Sequence, residues 1–150
     1  MPPRKRKPKE PKKRPPILIV EDTGMVRQTL IRILKLGQFD CIEASNAEEA
    51  VRLVAAREIS MIICDINMPG VDGITLIGKL KQTEKVRHVP VIMCSAMHEQ
   101  QFIVNALKAG AVDYIVKPFN PQTVLQKVIK AMGRDPGTKL ISRKPSSEEE

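Results

Sequence analysis

The chain has no tryptophan, one tyrosine and three phenylalanines among 150 residues. Its core must therefore be aliphatic, and it offers few rings on which nucleic-acid bases could stack. Cysteine is sparse and odd in number: Cys41, Cys64 and Cys94, widely spaced in apolar segments. That pattern fits neither a disulfide framework nor the paired Cys/His spacing of a zinc site, and reduced buried thiols are expected. Period-two alternation in a strand would turn Cys64 and Cys94 away from the polar residues that follow them. No apolar run approaches bilayer length. The basic N-terminus lacks the apolar stretch of a secretory signal, so a cytoplasmic location is expected. A glycine-rich phosphate loop is also missing. The first apolar run leads into Glu21-Asp22-Thr23-Gly24, whose charge repels phosphate unless a cation intervenes, which argues against a dinucleotide binder.

Charge is distributed unevenly. Residues 1–16 hold eight basic side chains against the single acid Glu10, so this segment carries +7 of the formal net charge of +8. The remainder is almost neutral. Lys, Arg and Pro with almost no apolar residues cannot offset the entropy of ordering, so 1–16 is expected to be a disordered basic tail. Residues 134–150, with Pro136, Gly137, Pro145 and a closing acidic triplet, are expected to be a flexible C-terminal tail. A single domain over 17–133 lies between them, long enough to bury a sizeable core.

Within 17–133 strand-like and helix-like runs alternate. Strands are expected at Ile17–Val20, Phe39–Ala44, Met61–Cys64, Val91–Cys94 and Val112–Val116. Helices are expected over Met25–Leu36, after an Asn46 N-cap, after the Asp72-Gly73 turn, over His98–Ala109 and over Gln122–Met132. The strand runs are short and continuously apolar, as in a sheet covered on both faces. The fold class expected is α/β, a doubly wound parallel sheet with helices on both faces.

The polar residues that carry chemistry sit at the C-terminal ends of these runs. Ile17–Val20 leads into Glu21 and Asp22, Met61–Cys64 into Asp65, Val91–Cys94 into Ser95, and Tyr114–Val116 into Lys117. In open α/β sheets ligands bind at the carboxyl ends of the strands. Three carboxylates, a hydroxyl and an amine would thus gather at one sheet edge. Carboxylates suit Mg2+, an oxygen-seeking cation, and a carboxylate can act as nucleophile toward a phosphoryl group. Lys117 and the cation would offset charge on the transferring oxygens. Singly, three of these have a plainer reading: Asp22 as a cap for the helix starting near Gly24, Ser95 and Lys117 as solvated strand ends; Asp65, ending a buried apolar run, has none as good.

Taken together, Glu21-Asp22, Asp65 with the following Ile-Asn-Met-Pro-Gly-Val-Asp-Gly, Ser95-Ala96 and Lys117-Pro118-Phe119 resemble the receiver domain of two-component response regulators, over about residues 17–132. Within that family Cys94-Ser95-Ala96-Met97 is most similar to chemotaxis regulators of CheY type. The resemblance implies a flavodoxin-like sheet of order 2-1-3-4-5. It implies Asp65 as phosphoacceptor, fed by a sensor histidine kinase, and Mg2+ held by Asp22 and Asp65 with the backbone carbonyl of Asn67. Glu21, one methylene longer than the aspartate usual there, would reach the ion through water. Lys117, Ser95 and Ala96 would meet the phosphoryl group, and Ser95 and Tyr114 would form the switch. Asn67 and Met97 would tune dephosphorylation, Asn67 by orienting water and Met97 by shielding; a plain surface or core methionine is the alternative for Met97.

The resemblance also implies a single-domain signalling protein, not an enzyme acting on external substrates, and a monomer. A flagellar motor switch protein and an aspartyl-phosphate phosphatase are the further partners it suggests. A hydrolase of related fold would want a second aspartate two residues past the nucleophile, where this chain has Asn67. The basic arm over residues 4–14 departs from the family pattern. It is either a solvated tail or a contact for DNA or another anionic partner, nonspecific and salt-sensitive.

Overall fold

The computed structural model describes residues 14–68, 70, 72–96 and 100–133. The strands are β1 (Ile17–Val20), β2 (Cys41–Ala44), β3 (Met61–Asp65), β4 (Val91–Ser95) and β5 (Asp113–Val116), and the helices are α1 (Gly24–Leu36), α2 (Ala47–Ala56), α3 (Gly73–Leu80), α4 (Gln100–Lys108) and α5 (Pro121–Met132). All strand pairings are parallel, in the order β2-β1-β3-β4-β5. The doubly wound sheet expected from the sequence is therefore present.

Alternation along the strands divides the core in two. Ile17, Ile19, Met61, Ile63, Ile92 and Ile115 face α1 and α5, meeting Leu30, Leu34, Val124 and Val128. Leu18, Val20, Ile62, Val91 and Met93 face α2, α3 and α4, meeting Val54, Leu76, Ile77 and Ala106. Both faces of the central strands are covered, which is why their sequences show no polar alternation.

Helix starts follow capping chemistry. Asn46 accepts from the Glu49 N–H at 2.8 Å and Asp72 accepts from the Thr75 N–H at 2.7 Å. Asn120 accepts from the Thr123 N–H, with Pro121 in the first turn, where a missing N–H costs nothing. The N-cap of α1 is Thr23, without a side-chain cap bond, and Asp22 is exposed. The capping reading of Asp22 is thereby removed.

Boundaries shift slightly from expectation. β2 begins at Cys41 because Gln38 adopts a left-handed φ of 66° and Phe39 tucks against the α1–α5 layer. β5 begins at Asp113, and helix α4 is described from Gln100 to Lys108. His98 and Glu99, expected in its first turn, lie outside the described residues. At the opposite end of the sheet from the site, the chain is already held before β1. Pro16 accepts from the Ser60 N–H at 3.0 Å, and Arg14 Nη1 donates to Met132 Sδ at 3.5 Å.

Candidate functional site

Parallel pairing with β1 and β3 in step brings Glu21 and Asp65 to the same edge. Val20 pairs with Cys64, so the residue after each strand pair emerges together. Both carboxylates are buried, Glu21 at 2% exposure and Asp65 at 3%. Lys117 enters from the end of β5, its Nζ 2.9 Å from Glu21 Oε1 and 3.4 Å from Asp65 Oδ2. The Lys117–Pro118 peptide that carries it is cis.

Electrostatics follow from this crowding. Burial, then the neighbouring Glu21 carboxylate, push the Asp65 pKa up, against the pull of Lys117 and the Asn67 N–H. Burial by itself would depress the Lys117 ammonium. The hydrogen bond to Glu21 and the charge of Asp65 outweigh it, and the net shift is upward. An ammonium thus stands where two buried carboxylates need positive charge. The donor set of Glu21 and Asp65 suits a hard divalent cation, and their oxygens lie within 4.8 Å of each other and of Cys94 Sγ. Asp22, exposed on the adjoining loop, is outside that cluster of described residues.

Cys94 corrects an expectation. Alternation within β4 turns it away from Ser95, but the β3–β4 register pairs Asp65 with Cys94. Both therefore share the α1–α5 face, and the thiol lies beneath the carboxylates rather than pointing away from them. Burial, with Asp65 nearby, pushes this thiol far above its ordinary value. Cys64 does point to the other face, as expected, and sits in the α2–α3–α4 core.

Ser95, 1% exposed, points to that other face with Tyr114. The two side chains share a hydrogen bond, and burial raises the Tyr114 pKa despite it. Tyr114 is already inward, at 4% exposure. Asn67 spans the sheet edge between the two faces. Its backbone N–H donates to Asp65 Oδ1 at 3.3 Å, and its side-chain Nδ2 donates to Ser95 Oγ at 3.1 Å. Ala96, small and exposed, follows Ser95. Met97 lies outside the described residues.

Two contributors escape the sequence reading. Arg27, in the first turns of α1, donates from Nη1 to the Glu21 carbonyl and from Nε to Glu43 Oε1, both at 2.7 Å. A cation near a helix N-terminus opposes the helix dipole, and that oddity is the signal available in the sequence. Gly73 donates its N–H to the Ile66 carbonyl at 2.7 Å. A Cβ there would collide with the Asp65 carbonyl oxygen, so only glycine allows α3 to start against the loop that carries Asp65.

Residues 17–129 match the response regulator receiver domain family. The chain is 38% identical over 117 residues to the chemotaxis protein CheY of Bacillus subtilis, covering 77% of this chain and 96% of that protein. It is 35% identical over 121 residues to the phosphate regulon transcriptional regulatory protein PhoB of Pseudomonas aeruginosa, covering 81% of this chain but 52% of that protein. The chain therefore spans about half the length of PhoB. A solved putative response regulator from Chloroflexus aurantiacus superposes with a TM-score of 0.77 at 30% identity, covering 81% of this chain and all of that one. The fold, the acidic edge and these matches define a class, the CheY-like receiver. This chain belongs to the response regulator receiver domain family. Receiver domains are signalling modules. Among the described residues no helix is long and apolar enough to cross a membrane.

Proposed function

We propose that this chain is a phosphorylation switch that accepts a phosphoryl group on Asp65 from a sensor histidine kinase of chemotaxis type. The observation that carries the reading is the convergence of Lys117 on two buried carboxylates, Glu21 and Asp65, at one sheet edge. An Asp65 oxygen attacks phosphorus as the phosphohistidine N–P bond breaks, and the bonding pair stays on the ring nitrogen. Asp22 and Asp65 side chains and the Asn67 carbonyl would hold Mg2+, with Glu21 acting through water. The ion supplies charge neutralisation for the transferring oxygens. Lys117 stays beside the phosphoryl group, Ser95 donates its hydroxyl to it with Ala96 leaving room, and Tyr114 follows Ser95. Asn67 and Met97 flank the path of the hydrolytic water.

Output leaves through α4, β5 and α5, each carrying an exposed apolar residue: Leu107, Val116 and Ile129. A flagellar motor switch protein is the proposed reader and an aspartyl-phosphate phosphatase the proposed eraser, with the chain a cytoplasmic monomer. The similarity to CheY over nearly its whole length supports this output. Phosphotransfer tests the reading. Labelled phosphate should pass from an autophosphorylated chemotaxis kinase to the wild type and be released by hydroxylamine. Labelling of Asp65→Asn to the same extent would overturn it.

A second reading rests on the positive charge of residues 4–14 and on similarity to a transcriptional regulator. In it, the arm contacts DNA or another anionic surface as the output. A DNA mobility shift that weakens steeply between two salt concentrations and disappears on deletion of residues 1–14 would favour it. That deletion should leave Asp65 phosphorylation intact.

A further inference from the structure

Ser95 does not stand free beside the phosphoacceptor. Its Oγ accepts from Asn67 Nδ2 at 3.1 Å while it shares a second hydrogen bond with Tyr114. The same Asn67 holds Asp65 Oδ1 through its backbone N–H. Asp65 faces the α1–α5 side of the sheet and Ser95 the α2–α3–α4 side. Asn67 is thus a bridge across the strand ends, tied to the acceptor by its main chain and to the switch hydroxyl by its side chain.

We propose that Asn67 is a positioning residue that latches Ser95 in the resting arrangement, so that breaking the Asn67–Ser95 bond is part of the cost of switching. The inference rests on the receiver reading above. It gives the Asn67 amide a resting-state role separate from orienting a hydrolytic water. A side chain that stabilises only the resting state lowers the apparent affinity for whatever favours the switched one. Asn67 is exposed at the loop surface, so its amide finds water once the bond breaks, and the net effect is that of one ordinary hydrogen bond.

The test uses beryllofluoride with Mg2+, a phosphoryl mimic that cannot be hydrolysed. Asn67→Ala keeps the backbone N–H and carbonyl and removes the latch, and the amide's role toward hydrolytic water has no bearing on a mimic that is not hydrolysed. It should bind beryllofluoride about two- to fivefold more tightly than wild type. Asn67→Gln, which retains a donor, should return toward wild type. In a Ser95→Ala background, removal of Asn67 should have no further effect, because the acceptor is already gone. The chain's single tyrosine provides an independent readout. With fluorotyrosine in place, the 19F resonance of ligand-free Asn67→Ala should lie displaced toward the position that wild type reaches with beryllofluoride. Unchanged or weaker binding by Asn67→Ala, or an equal gain in the Ser95→Ala background, overturns the latch alone. Failure of wild type to bind beryllofluoride overturns the receiver reading as well.

Discussion

The ammonium of Lys117 lies 2.9 Å from Oε1 of Glu21, joining the loops that follow the first and last strands across 96 positions of chain. The same ammonium is 3.4 Å from Asp65, so one cation separates two buried carboxylates. Lys117→Met should leave those carboxylates facing each other and lower stability by about 1–3 kcal/mol in chelator. Because the Lys117 pKa is raised, its contribution is present below the ordinary lysine pKa and fades as pH rises through the raised value. Urea unfolding with and without Mg2+ would measure the loss. Mg2+ should recover part of it, and phosphorylation of the variant should fall at least about tenfold, on the order of one lost electrostatic donor.

Asp65 is held above its ordinary pKa by burial and by Glu21. The folded state therefore binds a proton there more tightly than the unfolded state. Stability falls as pH rises from the unfolded carboxylate value through the raised folded one. Asp65→Asn removes that titration, so the variant should melt higher than wild type at neutral pH without Mg2+. The gap should close as pH falls below the ordinary aspartate range. Thermal melts across pH in chelator would show this, and a variant less stable at neutral pH would contradict it.

Gly73 is required by space rather than by an unusual φ. A Cβ there would collide with the Asp65 carbonyl oxygen, and a backbone atom cannot swing aside. Gly73→Ala should cost about 3 kcal/mol, at the upper end for overpacking. It should also lower phosphoryl acceptance, because the relief must come from the Asp65–Ile66 segment. Gly78→Ala, where a new Cβ meets nothing within 4 Å, is the matched control and should keep full acceptance.

Asn46 caps α2 through the Glu49 N–H, on the β2 side of the molecule. Asn46→Ala should cost about 1 kcal/mol with an unchanged phosphorylation yield at saturating donor. Measured together, stability and yield would separate damage to the scaffold from damage to the site.

The apolar runs gave away β1, β3 and β4 because strands buried on both faces carry no competing pattern, and the polar residues that end these runs include Glu21 and Asp65, which meet Lys117 at one sheet edge. What stayed hidden depends on pairing between strands. Alternation within β4 says that Cys94 points away from Ser95, but only the register with β3 says that Cys94 lies under Asp65. The Asn67–Ser95 bond and the Gly73 contact arise where two loops meet, and no periodicity encodes such a meeting. Arg27 was visible only as a misplaced charge in α1. The apolar pattern extends β2 back to Phe39, which is as apolar as a strand residue, whereas the strand begins at Cys41 because Gln38 turns the chain just before it.

The most direct test of the central claim is intact-mass analysis after incubation with acetyl phosphate and Mg2+, in parallel with chelator and with Asp65→Asn. One phosphoryl group should be added, only with Mg2+ and only when Asp65 is present. A folded protein that binds Mg2+ yet gains no mass, or one that gains it equally as Asp65→Asn, would contradict assignment of Asp65 as the phosphoacceptor.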